Sequence, residues 1–318
     1  MKNKDNNKKK IRLLNFYDRD GKGVEKGEDT TPTLKYFFKL FGRKFTKLLS
    51  VTLIMDIQVL PILASLFLYF FASPTTPTAY YTEYPMLYGI QQLGGDAANA
   101  INATNMSAQF GLPAYNTYVY WVIGILLVFH VITYGWQKCA STYIMRGLVR
   151  GDSVFIVSDY FYAIKKNWKQ GLILGLLDCS IIGVLIVDFM YFYTSPQTAF
   201  TNFMYAMTFA IIVIYIIFRF YIYLLIVTFN IKLTKAIKNA FIFTVLGLKR
   251  NALALLGLLA VTALAAGMIM LLLPMGLGVT VILPLLYYLG VSAFIYNYAA
   301  YPVIKKYMID PPTPKAAA

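Results

Sequence analysis

The residues of this chain that could do chemistry are few, and their positions make them conspicuous. Asp56, Asp178 and Arg219 each interrupt a long apolar run. An ionisable side chain at mid-helix in a membrane costs about 2.5–3.5 kcal/mol on insertion scales, so such residues occur in pairs or at functional positions. At about 1.5 Å of rise per residue, all three stand roughly 10–15 Å from the base-flanked ends of their runs. A carboxylate–guanidinium pair at that depth lowers the cost of both charges, so Arg219 is expected to meet either Asp56 or Asp178. Such a pair has two readings: a polar site for an ion, proton or solute, or a structural link that fixes helix register. Asp188 lies nearer the other end of its run, within reach of interfacial water. The single histidine, His130, is mid-run and is expected to be neutral and packed or hydrogen-bonded, the alternative being a proton relay.

No catalytic arrangement accompanies these groups. The sequence contains no HExxH, GxSxG or phosphate-binding Gly-Lys-Ser/Thr stretch, which argues against a motor ATPase or an intramembrane zinc protease. No nucleophile–base arrangement can be named, so the expectation is a protein that is not an enzyme and holds no cofactor or metal. Cys139 and Cys179 fall in no metal or redox spacing and are expected to be packing residues rather than a disulfide.

The elements that must position these residues follow from composition. Of 318 residues, 58% are hydrophobic and 14% charged, against about 25% charged in an ordinary soluble domain. Six apolar segments, at 48–71, 117–136, 171–193, 203–229, 252–273 and 276–301, each approach the ~20 residues that a bilayer span needs. The predicted fold is therefore all-α: a polytopic membrane bundle of six transmembrane helices. Pro61, Pro274 and Pro284 are expected to kink or end helices, and Gly171 with Gly175 forms a small-xxx-small spacing that permits close helix contact.

The net charge of +15 would suggest nucleic acid if it formed one basic face, but the bases flank apolar segments instead. Fourteen Lys and Arg precede the first segment, six lie between the second and third, five between the fourth and fifth, and three follow the sixth. Residues 72–116, 194–202 and 274–275 carry none. By the positive-inside rule, both termini are expected in the cytoplasm of a multi-pass plasma-membrane protein, with the lipid bilayer as a partner and no nucleic acid. The domain reading is a disordered basic tail over 1–32, a membrane domain over 33–306 and a short cytoplasmic tail over 307–318. Within the membrane domain, 72–116 is an outer loop that is either a lid or a plain surface loop. Cytoplasmic amphipathic elbow helices are expected over 34–47, 137–170 and 230–251.

The basic segments look repeated. In FGRKFTKLL and AIKKNWKQGL, Arg43, Lys44 and Lys47 align with Lys165, Lys166 and Lys169, while VLGLKRNALALL keeps only the doublet Lys249–Arg250. Spans two to three and four to five are therefore expected to be similar helical hairpins joined by interfacial elbow helices. In the second segment, Val154, Phe155, Tyr160, Phe161, Ile164 and Trp168 are expected against lipid or a partner, with Lys165, Lys166 and Lys169 on anionic headgroups.

From residue 140 to 177 (ASTYIMRGLVRGDSVFIVSDYFYAIKKNWKQGLILGLL) the sequence resembles the YesL-like family of bacterial membrane proteins. The features are the aromatic before Met145–Arg146, the stretch Leu148–Val149–Arg150–Gly151, and Asp159 to Ala163 leading into Lys165–Lys166–Asn167–Trp168–Lys169–Gln170. Residues 41–61, ending in Leu60–Pro61, and 221–251, with Lys238–Asn239 and Arg250–Asn251, are similar as well. Residues 1–32 and the long outer segment depart from the compact members. The resemblance implies genes beside those of sugar importers and sugar-degrading enzymes, and an undefined molecular activity with no site residues to transfer. It also implies that the elbow 151–170 is the hallmark. The expected function is a non-enzymatic accessory or regulatory partner of ABC-type carbohydrate uptake systems, docking permease subunits through 151–170 and 231–250. The alternative is a small solute or ion transporter or channel using Asp56, Asp178 and Arg219. The sequence does not give an oligomeric state.

Overall fold

The computed structural model describes residues 29–72, 117–272, 274–275 and 282–310, and every regular element among them is helical. The expected tail over 1–32 for the most part, the 72–116 loop and the last eight residues lie outside the described residues. Six helices are long and apolar enough to cross a membrane: α1 (Leu34–Phe71), α2 (Thr117–Arg150), α3 (Ile156–Thr194), α4 (Ala199–Thr228), α6 (Leu248–Leu272) and α7 (Ile282–Ile304). A shorter helix, α5 (Leu233–Leu246), precedes α6, and a π-helical turn, Lys305–Ile309, follows α7. The chain divides into two compact units, one of residues 1–58 with 131–318 and the other of residues 59–130.

In the larger unit, α1 starts at Thr33, whose Oγ1 accepts from the Tyr36 N–H at 3.2 Å. Its buried positions in this unit, Tyr36, Leu40, Lys44, Lys47, Leu48, Val51, Thr52 and Met55, are linked by spacings of three and four and form one stripe along the helix. That stripe meets α7: the Phe37 ring lies 5.4 Å from Phe294 and 5.1 Å from Tyr298. The separate surface elbow expected over 34–47 is thus corrected. These residues are the first turns of one 38-residue helix, because no proline interrupts them and their apolar stripe is claimed by α7 and the segment around Val154.

The second basic segment has two parts. Residues 137–150 continue α2 and are largely buried, with Cys139, Ala140, Ile144, Met145 and Leu148 each at most 1% exposed. α2 stops at Gly151, whose φ of 82° suits a residue without Cβ. After it, α3 is kinked at Asn167 (φ −114°, ψ 20°). The Asn167 side-chain amide donates to the Ala163 carbonyl at 3.0 Å, and this local competition with the backbone accounts for the kink. The third segment holds a helix of its own, α5, buried through Ala236, Ala240, Phe243 and Thr244 and set off from α6 by Gly247.

α2 and α3 cross where both are bare of side chains. A Cβ on Gly135 would fall 2.7 Å from Gly175 Cα, and one on Gly175 would fall 2.5 Å from Gly135 Cα, so only glycine fits. The expected close contact at Gly171 and Gly175 therefore exists, with Gly135 as its partner.

α4 is the centre of the larger unit. A capping box between Thr198 and Thr201 starts it, and from Ile217 to Val227 every residue except Arg219 is buried. On α3 the buried residues run from Ile156 to Asp178 and none follows to Thr194. Packing is thus concentrated at the ends of the helices that carry the bases. Pro302 lies inside the last turns of α7, where it removes a backbone donor, and the chain then widens into the π-helical turn closed by Asp310 N to Lys305 O at 2.8 Å. Pro61 is accommodated within α1, and Pro274 follows the end of α6.

The smaller unit keeps, among the described residues, the remainder of α1 and the first turns of α2. There the Ser65 hydroxyl donates to the Pro61 carbonyl at 2.7 Å, and Phe67 stacks on Phe71 at 4.9 Å.

Candidate functional site

Asp178 belongs to the α3 stripe Gly171, Leu174, Gly175, Asp178, whose spacing of three and four turns it toward the neighbouring helices. On α4, Tyr215, Arg219 and Tyr223 are spaced by four and so form a ladder on one face. The ladder closes on the carboxylate. The Tyr215 hydroxyl donates to Asp178 Oδ1 at 2.8 Å and the Tyr223 hydroxyl to Oδ2 at 2.8 Å. Arg219 Nε stands 2.9 Å from Oδ1 and 3.1 Å from Oδ2. Arg219 Nη2 donates to the Tyr134 hydroxyl of α2, and the Lys138 ammonium lies over the Tyr134 ring, 5.6 Å from its centroid.

Asp178 is 1% exposed and the Arg219 side chain 23%. A carboxylate offers about four lone-pair positions, and here two hydroxyls and a shared guanidinium N–H occupy both oxygens. The arrangement ties α2, α3 and α4 together at one point.

The structure therefore pairs Arg219 with Asp178. Asp56 is half-buried on α1, and its Oδ1 is buried with no hydrogen-bond partner among the described residues. Asp188 is half-buried further along α3, away from the cluster's buried stripe. His130 is half-buried on α2 and belongs to the unit of residues 59–130. Tyr134, Tyr215, Tyr223 and Lys138 are the members that the sequence reading missed. The available signal was the placement of Tyr215 and Tyr223 four residues either side of Arg219. Among the described residues, no group of three or more His, Cys, Asp or Glu that could hold a metal is found.

The surface candidates separate differently. Phe161, Lys165, Lys166, Trp168 and Lys169 are all exposed, Phe161 at 65%. The Lys166 ammonium lies over the Tyr162 ring at 5.9 Å, and that of Lys169 over the Trp168 ring at 5.4 Å. Val154, expected on the surface, is instead 4% exposed beneath α1, where its carbonyl accepts from the Lys47 ammonium at 3.1 Å. Lys44 and Lys47 are buried where their aligned counterparts Lys166 and Lys169 are exposed, so the matched spacing does not give the two segments the same surroundings. Lys249 is exposed, and half-buried Arg250 donates to the Pro32 carbonyl at 3.1 Å.

Comparison with known families bears on this part of the chain. Residues 116–189 match a family described as a protein of unknown function, DUF624. The DUF624 match spans α2, the Gly151 turn, the kink and α3 past Asp178, so it includes Tyr134 and Lys138 but not Arg219. No curated protein and no solved structure matches the chain.

Proposed function

We propose that this is a non-enzymatic accessory protein of the bacterial plasma membrane, with both termini in the cytoplasm, that works by binding permease subunits of ABC-type carbohydrate importers. The observation that carries the accessory role over transport is the closed state of the Asp178 carboxylate. Both its oxygens are held by Tyr215, Tyr223 and Arg219 at 1% exposure, which leaves no coordination position for a passing ion or solute. The link to carbohydrate uptake rests on the resemblance of residues 140–177 to the YesL-like family, to which the DUF624 match over the same stretch lends support. Docking would use the segments 151–170 and 231–250, where Val157, Phe161, Phe241 and Val245 are exposed large apolar side chains.

The test is a mild-detergent pull-down of tagged protein from its native cells, grown on several carbohydrates. Stoichiometric recovery of importer permease subunits is the expected outcome. Recovery of the protein alone on every carbohydrate would overturn the reading. Transport remains a second reading because Asp56 has an unsatisfied buried oxygen, a property of intramembrane ion sites. Its test is solute and proton flux in liposomes, where loss of flux in Asp56→Asn would favour it.

A further inference from the structure

A recess of about 480 Å³ opens between the α3 kink and the end of α4, a volume in the usual range of small-ligand sites. We propose that it is a binding site for the phosphate headgroup of an anionic membrane lipid. Lys166, Trp168, Lys169 and Gln170 line one side, and Val227 and Asn230 the other. Two lysines and no acidic residue belong to this lining, so its charge suits an anion. The amide of Asn230, also in the lining, adds a neutral donor of the kind that fixes an oxyanion's orientation.

The walls are held from three directions, so the recess exists before any ligand arrives. Gln170 Nε2 donates to the Ile231 carbonyl at 2.9 Å, joining α3 to the chain beyond α4. Trp136 Nε1 donates to the Trp168 carbonyl at 2.8 Å, fixing the kink against α2. Arg146 Nη1 donates to the Val227 carbonyl at 2.8 Å, which satisfies an orphan acceptor at the α4 terminus and sets a third cation behind that wall.

Position selects a lipid over a free anion. The recess lies where the basic stretch gives way to the apolar run beginning at Gly171 and where the apolar run of α4 ends, the level at which headgroup phosphates stand. Half-buried Phe229 on the α4 side offers apolar surface that a glycerol ester can cover and inorganic phosphate cannot. Lysine stems lying along apolar surface with their ammonium groups turned outward are the usual interfacial geometry. The inference does not depend on the importer partner, because it is read on purified protein.

The experiment counts lipids retained by the full-length protein in native mass spectra, after equilibration in phosphatidylcholine nanodiscs with and without phosphatidylglycerol. Phosphatidylglycerol should be retained in preference to phosphatidylcholine. The double variant Lys166→Gln/Lys169→Gln should weaken retention about 30-fold, at roughly one interfacial charge interaction per lysine. Lys238→Gln/Lys249→Gln removes the same charge from exposed positions outside the recess and should change retention by less than about twofold. Asn230→Asp leaves both lysines in place and should also weaken it. Equal losses in the two double variants, or no loss in the first, would overturn the proposal. Displacement of the lipid by millimolar inorganic phosphate would overturn the lipid assignment and leave a free-phosphate site.

Discussion

Asp178 and Asp56 stand at similar depths in two apolar helices, yet their surroundings differ sharply. Asp178 has hydroxyl and guanidinium donors on both oxygens and is 1% exposed. Asp56 is half-buried and keeps one oxygen without a partner among the described residues. The difference shows that an intramembrane carboxylate is accommodated by the ladder facing it, not by its depth. Tyr215, Arg219 and Tyr223 supply that ladder from one face of α4. A buried acceptor without donors costs about 1–3 kcal/mol, so one aspartate is a joint of the fold and the other a standing expense.

The contrast can be broken in order of expected effect. Arg219→Leu leaves Asp178 as an uncompensated buried charge and should cost about 3–5 kcal/mol, read by reversible unfolding in mixed micelles. Adding Asp178→Asn to that background should restore more than half of the loss. A double variant as unstable as the single one would show that the pair is not the energetic centre of the cluster. Asp178→Asn alone, which strands Arg219 instead, should cost about 1–3 kcal/mol in the same assay. Tyr223→Phe and Tyr215→Phe each remove one hydrogen bond and should cost about 0.6–1.7 kcal/mol, as interhelical bonds in membranes do. Tyr223, only 3% exposed, should show the larger loss of the two. Asp56→Asn should be the mildest change, within about 0.5 kcal/mol or stabilising, since a charge is removed and no bond to Oδ1 is lost. A loss comparable to that of Asp178→Asn would erase the contrast.

Much of the architecture could be read from the chain. The six apolar runs could be found because length and composition alone define them. The expected 203–229 became Ala199–Thr228, and 171–193 the second half of Ile156–Thr194. The environment of the bases could not be read in this way. Arg43, Lys44 and Lys47 share their spacing with Lys165, Lys166 and Lys169, but Lys47 is 5% exposed and bonded to the Val154 carbonyl, while Lys169 faces outward. Burial there is decided by what docks on the segment: Phe294 and Tyr298 of α7 cover the first, and among the described residues no such cover lies over the exposed lysines of the second. The choice between Asp56 and Asp178 escaped for a related reason, since depth treated them alike and the tyrosines flanking Arg219 were not counted. The glycine spacing on α3 announced a close approach, but Gly135, more than thirty residues earlier, had to be seen against it.

The packing of α1 on α7 has a consequence for how the protein is made. The hydroxyl of Tyr298 donates to the Thr33 carbonyl at 2.7 Å across 265 positions of sequence, and Phe37 rests on Phe294. Domains assemble from the N-terminus during synthesis, but here α1 finds part of its partner surface in α7, which is made much later. Until α7 arrives, the stripe from Tyr36 to Met55 has only one of its two covers, the segment around Val154 that also accepts from the Lys47 ammonium. A cut that removes α7 is therefore felt at the start of α1, where Phe37 and the Thr33 carbonyl lose their partners.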